Sequence, residues 1–331
     1  MAYVTTPPAS REERLASAED RWEAILARRP DLEPAVALQR RLLTLVVELS
    51  HTIDHGRLPR LSLPPRYLAA KLARGVPALA GEPIPLPVQM LVRPLVQLCT
   101  DLAAGGAADA ADHIRAAIES GNIEPGSLLA ASLSRDQHAI RQGAVHRGLA
   151  PDLVWLVAEL AVSPFAHALQ RAVLSTSPGS SGVSAAPGDS VLADARAGWQ
   201  HGYCPACGSW PALAEVVGGH RLLRCSFCAA AWELDTYACV YCHEDGEPFV
   251  TAAPDEERKD RRLEVCGTCA GYLKTVEVAA LSPFPLLAIA DLETMDLDVA
   301  AMERGYSRPP LKDFRQKGQS ERSGSGPRGI G

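Results

Sequence analysis

Four Cys-x-x-Cys pairs fall within 66 residues of this chain: Cys204–Cys207, Cys225–Cys228, Cys239–Cys242 and Cys266–Cys269. Nothing else in the sequence constrains the fold as tightly. A CxxC turn aims both sulfurs at one ion while backbone N–H groups of the turn donate to the thiolates, and two turns complete a tetrahedron. The ninth cysteine, Cys99, stands alone in the apolar run LVQLC far upstream and reads as buried filler. The N-terminus, MAYVTTPPASREERL, has no charged region followed by an apolar one, so no secretory context argues for disulfides. The eight paired cysteines therefore read as metal ligands.

Two ions are expected. With 17, 10 and 23 residues separating successive pairs, the simplest arrangement is sequential. Cys204, Cys207, Cys225 and Cys228 then form one site, and Cys239, Cys242, Cys266 and Cys269 the other. A cross-braced pairing, first with third and second with fourth, stays open. Four thiolates suit zinc or a single rubredoxin-type iron equally well by geometry. The knuckle CPACG is the most diagnostic, because Gly208 stands where the turn calls for positive φ. Ala229, His243 and Ala270 occupy that place in the other three, so the rubredoxin likeness is partial. Trp210, Phe227, Trp232 and Tyr241 lie close enough in sequence to bury the sites. His201, His220 and His243 flank the knuckles, but with four cysteines per site they read as neighbours rather than ligands.

Such sites are closed. Every coordination position is filled by protein, which leaves none for Lewis-acid chemistry. The chain also has no HExxH, no GxSxG and no glycine-rich phosphate loop, so no catalytic set is identified and an enzyme is not expected. Nucleic-acid binding, a common role for ribbons of this kind, meets an electrostatic objection. From Trp199 to Thr275 eleven acidic residues face seven basic ones, a net charge of -4, where phosphate tracking needs the opposite sign. The whole chain carries -6.

At 331 residues the chain is too long to be explained by the cysteine module alone. The expected fold is multidomain: an all-helical N-terminal domain over 1–174, then a small α+β module over 191–308 carrying the two four-cysteine sites. A Ser/Gly/Pro-rich stretch at 175–190 reads as a flexible linker, and the Gly/Ser/Arg-rich 309–331 as a disordered tail. Ser10 and Glu13 have capping-box spacing before a helix that ends near Pro30. Further helices are predicted after Pro34 and over 88–104, 108–119, 127–142 and 151–174, with Pro94 and Pro164 kinking or ending them. Prolines crowd 56–87, which reads as an irregular connection. A short helix at 191–200, strands at 214–217, 221–224 and 272–278, and a closing helix at 292–304 complete the reading. The charged runs at 244–247 and 255–262 read as solvated loop. No apolar run is expected to reach the 18 or so residues of a membrane span, so no stable membrane insertion is expected and the default compartment is the cytoplasm.

YCPACGSWPALAEV, LRCSFCAAAWEL, CVYC and LEVCGTCAGYLKTVEV, followed by IADLETMDLDVAAMERGYSRP, resemble the formate dehydrogenase accessory protein family, FdhE. The likeness is specific over 203–308 and looser over the helical half, which opens RWEAILARRPDLEPAVALQRRLL. It implies a cytoplasmic, non-catalytic maturation factor that binds the catalytic subunit of a molybdenum- or tungsten-dependent formate dehydrogenase. It also implies iron in rubredoxin-type sites on the eight paired cysteines, with zinc as the other candidate. Two other classes remain as alternatives: a rubredoxin-like redox or oxygen-sensing protein, and a nucleic-acid-binding zinc ribbon.

Overall fold

The computed structural model describes residues 3–4, 9–56, 63–174, 187–253, 258–312 and 314. Most of the predicted linker (175–186), most of the predicted tail (313 and 315–331) and part of the charged loop (254–257) lie outside the described residues.

The capping box forms as predicted. Ser10 Oγ accepts from the Glu13 N–H at 3.1 Å, and the Glu13 carboxylate accepts from the Ser10 N–H at 2.7 Å. Helix α1 (Arg11–Arg28) then buries Ala18, Trp22 and Ile25. Helix α2 (Glu33–His55) takes Pro34 into its first turn, where the missing N–H has no helical partner to lose. The same logic corrects the irregular reading of 56–87 at its centre, while 74–87 holds neither helix nor strand. Pro65 opens helix α3 (Pro65–Ala73), because a proline at the first helical position starts a helix rather than forbidding one.

Helix α4 (Val88–Leu102) runs through Pro94, and α8 (Pro151–Leu174) through Pro164, so neither proline ends its helix. Packing along both helices outweighs one absent backbone bond in each. Helix α5 (Ala108–Glu119) matches its predicted span. The helix predicted over 127–142 is instead two, α6 (Pro125–Leu133) and α7 (Gln137–His146), broken at Arg135 with φ 60°. Helix α8 is the hub, in contact with α2, α4, α6 and α7. By length and composition it could cross a membrane, contrary to the expectation that no run would qualify. Most of it is buried inside the fold, as a central core helix must be. Helix α9 (Pro187–Ala197) packs against α3 and leads into the module.

The module is built on one sheet. Strands β2 (Pro211–Val217), β3 (His220–Cys225) and β4 (Ala231–Trp232) form an antiparallel meander, and β5 (Phe249–Ala252), β6 (Arg261–Cys266) and β7 (Gly271–Glu277) form another. Parallel pairing of β2 with β7 joins the two. The order across the sheet is β1-β4-β3-β2-β7-β6-β5, where β1 (Tyr3–Val4) is a strand from the otherwise helical N-terminal region. In each meander one knuckle precedes the first strand and the other follows the second, so the module is two like units laid head to tail. The β2–β3 turn is Gly218-Gly219, both at positive φ (57° and 87°), the conformation a two-residue hairpin requires.

The closing helix is again two, α10 (Leu287–Glu293) and α11 (Met295–Met302). Between them the Thr294 hydroxyl donates to the Ala290 carbonyl at 2.8 Å. Lys274 on β7, fully buried, pairs with Asp291 (2.6 Å) and Asp298 (2.7 Å) and pins both helices to the sheet. One apolar core runs without interruption from Leu49 and Leu91 through Phe165 and Trp199 to Trp232 and Leu273. Helices and module therefore share an interior.

Candidate metal centres

The four knuckles adopt one backbone. Residues Gly208, Ala229, His243 and Ala270, each following the second cysteine of its pair, have φ of 82°, 55°, 64° and 53°. Only Gly208 adopts this region without strain; in the other three a Cβ crowds the next carbonyl, at about 1–2 kcal/mol each. The chain accepts that cost in three places, which shows how strongly the turn is required. The first cysteine's N–H is likewise bonded five residues ahead in three knuckles: Cys204 to Ser209, Cys225 to Ala230 and Cys239 to Glu244, at 2.8–2.9 Å.

These turns gather the sulfurs sequentially. Cys204, Cys207, Cys225 and Cys228 form one cluster, and Cys239, Cys242, Cys266 and Cys269 the other, each with sulfurs within 4.8 Å of one another. In the first, Sγ separations are 3.6 Å (Cys204–Cys228), 3.5 Å (Cys207–Cys225) and 3.7 Å (Cys207–Cys228). In the second they are 3.7 Å (Cys239–Cys269) and 3.6 Å (Cys242–Cys266). A tetrahedron with metal–sulfur bonds of about 2.3 Å has edges of about 3.8 Å. A disulfide needs about 2.05 Å. The donor sets thus fit a tetrahedral ion and not a bridge. Each group could bind a metal ion.

The surroundings of the two clusters differ. All four cysteines of the first are buried, whereas Cys242 and Cys269 of the second are exposed. Helical residues enclose the first. The N–H groups of Ala78 and Leu79, in the loop after α3, donate to the carbonyls of Pro205 and Ala206 inside the first knuckle at 2.8 and 2.9 Å. Lys71 holds that loop by donating to the Ala78 and Ala80 carbonyls (2.9 and 2.7 Å) and to Glu82 (2.5 Å). Tyr203 donates its hydroxyl to the Gly75 carbonyl at 2.8 Å. From α8, His167 Nδ1 lies 2.9 Å from the Cys228 carbonyl, its ring stacked on Phe284, and burial lowers its pKa to about 4.

Two guanidinium groups approach the first cluster. Arg135, almost wholly buried, lies 4.0 Å from the ring centre of Phe227 within the second knuckle and 4.6 Å from that of Trp155, and pairs with Glu159 at 2.7 Å. Arg224 is fully buried, pairs with Glu215, and donates to the Ser282 carbonyl at 2.8 Å. Four thiolates around a divalent ion carry a net -2, and burying that charge in apolar surroundings needs opposite charge nearby. Burial, reinforced by the neighbouring sulfurs, drives the Cys204 and Cys228 thiols far above their ordinary pKa, whereas at Cys207 hydrogen bonds from the other three thiols outweigh burial and hold it well below. Within the second knuckle the N–H groups of Phe227 and Cys228 point at Cys225 Sγ, each 3.4 Å away. In the second cluster burial raises Cys239 strongly and Cys269 to about 11, while backbone N–H groups and the neighbouring thiols hold Cys266 below its ordinary value.

Among the described residues no histidine belongs to either cluster. His201 packs on Tyr203 and Trp199, His220 pairs with Glu233 at 3.0 Å, and His243 serves the turn after Cys242. Cys99 is buried on α4, with burial raising its thiol to about 11, as fits filler. Sequence reading missed Arg135, Lys71 and the Ala78–Leu79 loop. Nothing local marks them, because their role arises only where the helical region meets the first knuckle.

Comparison with known proteins bears on what this architecture is. No family model matches the chain. Protein FdhE of Escherichia coli O127:H6 is 32% identical over 133 residues, 39% of this chain and 42% of that protein. Protein FdhE of Escherichia fergusonii is 31% identical over the same extent. The alignments thus span about two fifths of the length of these curated relatives. A crystal structure of the FdhE protein from Pseudomonas aeruginosa superposes with a TM-score of 0.56 at 23% identity. It covers 94% of this chain and 98% of that one, a likeness of fold over nearly the whole molecule. The chain is thus similar in sequence to FdhE proteins over two fifths of its length and similar in fold over nearly all of it. The two-part architecture, helices followed by a sheet bearing two four-cysteine clusters, agrees with the fold class expected from the sequence.

Proposed function

We infer that this chain is a non-catalytic maturation factor for a molybdenum- or tungsten-dependent formate dehydrogenase. It binds the catalytic subunit in the cytoplasm and assists its assembly. Cys204, Cys207, Cys225 and Cys228 hold one metal ion, and Cys239, Cys242, Cys266 and Cys269 a second. The observation that carries the reading is the pair of closed four-sulfur clusters, one of them locked into the helical core. Such centres leave no position for a substrate and serve as rigid structure or as an electron-accepting group. The likeness to FdhE proteins supplies the client. The direct test is a pull-down of the metal-loaded chain against a formate dehydrogenase catalytic subunit. Absence of association, together with normal formate dehydrogenase activity in a deletion strain, would sink the reading.

The ions are rubredoxin-type iron on the family resemblance, with zinc as the alternative the same donors accept. Metal analysis with a visible spectrum of protein purified without air distinguishes them, since ferric tetrathiolate is coloured and zinc is not. One observation favours a redox or oxygen-responsive role as a second reading: Cys242 and Cys269 of the second cluster face solvent. A reversible thiolate-to-iron absorption change would support it, and colourless, zinc-only protein from cells would end it.

A further inference from the structure

Beyond Arg308 the chain crosses the face of the first knuckle. Arg308 is paired with Asp291 at 3.2 Å and Asp298 at 3.0 Å, next to the bridge between Ser307 and Gly271. Pro309 and Pro310 follow; they lack N–H groups and cannot join the sheet. The segment is instead held by side chains. The Trp210 indole donates to the Pro310 carbonyl at 2.9 Å. The Lys312 ammonium lies 4.5 Å from the Tyr203 ring centre and 5.0 Å from that of Trp210. Phe314 meets Tyr203 with ring centres 5.0 Å apart and covers Gly208, where a Cβ would stand 2.4 Å from its ring.

We propose that Tyr203, Gly208 and Trp210 form a recognition shelf for an extended peptide bearing a cation two residues before an aromatic ring. Residues 309–312 and Phe314 of the chain itself occupy that shelf as a displaceable strap. The chemistry of the occupant defines the partner. Two electron-rich ring faces read a Lys or Arg. The side-chain-free face of Gly208 admits a flat ring, and the indole N–H reads a backbone carbonyl regardless of sequence. An occupant that covers the indole without offering it an acceptor would leave that donor unpaired, so the shelf favours an extended main chain over bare apolar contact. The net acidity of the module draws a basic segment toward it. The shelf lies on the knuckle carrying Cys204 and Cys207, so occupancy by a partner would be felt at the first cluster.

The test uses the full-length, metal-loaded chain and a labelled synthetic peptide, PPLKDFRQK, copying residues 309–317. Fluorescence anisotropy should show the Lys312→Ala/Phe314→Ala chain binding the peptide about tenfold more tightly than the wild type, whose strap competes. A peptide with alanine in place of its lysine and phenylalanine should lose at least about tenfold against the same chain. In the wild type, excess peptide should raise hydrogen exchange at residues 311, 312 and 314. Equal affinity for both chains would overturn the proposal. So would binding that tolerates the alanine peptide, which would mean simple attraction of positive charge to an acidic surface. An absence of saturable binding to the folded double variant would overturn it as well.

Discussion

The first and second cysteine clusters share a turn geometry and a place in their respective meanders, yet one lies in the interior and the other at the surface. The first is bonded to the loop after α3, approached by Arg135 and Arg224, and continuous with the main apolar core. The second is held mainly by its own meander, with Cys242 and Cys269 exposed and only Cys239 and Cys266 buried. Burial is therefore what separates them. A buried tetrathiolate is a keystone whose loss opens the core around it; an exposed one is a clip whose loss is felt locally.

That contrast can be broken most directly at the ligands. Cys225→Ser should abolish cooperative melting of the chain, a loss above about 5 kcal/mol and comparable to the whole stability of a domain. Cys242→Ser should leave the helices and the first cluster folded and lower the metal stoichiometry from two ions per chain to one. Thermal melts paired with metal stoichiometry decide the matter, and equal melts for the two variants would erase the distinction.

Chelation sharpens the same point without mutation. Zinc- or cobalt-loaded protein treated with excess chelator should lose its metal in two phases, the faster by at least about tenfold because the second cluster opens locally. Cys242→Ser should remove the fast phase alone. A single phase, or a fast phase that survives this change, would contradict the assignment.

Arg135 tests whether enclosure of the first cluster is electrostatic as well as steric. Arg135→Gln leaves Glu159 without its partner at a largely buried site and should cost about 3 kcal/mol in urea melts. Arg135→Met combined with Glu159→Met should recover much of that loss, while still shifting the thiolate-to-metal absorption of the first cluster. The smallest effects belong to the turns. Gly208→Ala should destabilise by about 2 kcal/mol, because the new Cβ adds strain and meets Phe314. Ala270→Gly should be neutral or stabilise by under about 1 kcal/mol, since relief at φ 53° is partly offset by greater freedom of the unfolded chain.

The amino-acid sequence by itself determined the knuckles, their sequential grouping as the simplest pairing, the capping box at Ser10 and the spans of α5 and α8. All of these are local: a turn, a cap or a helical stripe is specified by residues a few positions apart. It misread features whose outcome depends on packing. Pro65 opens a helix inside a proline-rich stretch, and Arg135 breaks one helix into two. Strands β5 and β6 also escaped it, because alternation in so short a run becomes meaningful only beside a partner strand. Only the tertiary structure decided that the two chemically alike clusters are unlike in environment. Burial depends on which distant surface covers a knuckle, and the Ala78–Leu79 loop that covers the first is more than a hundred residues away in the chain.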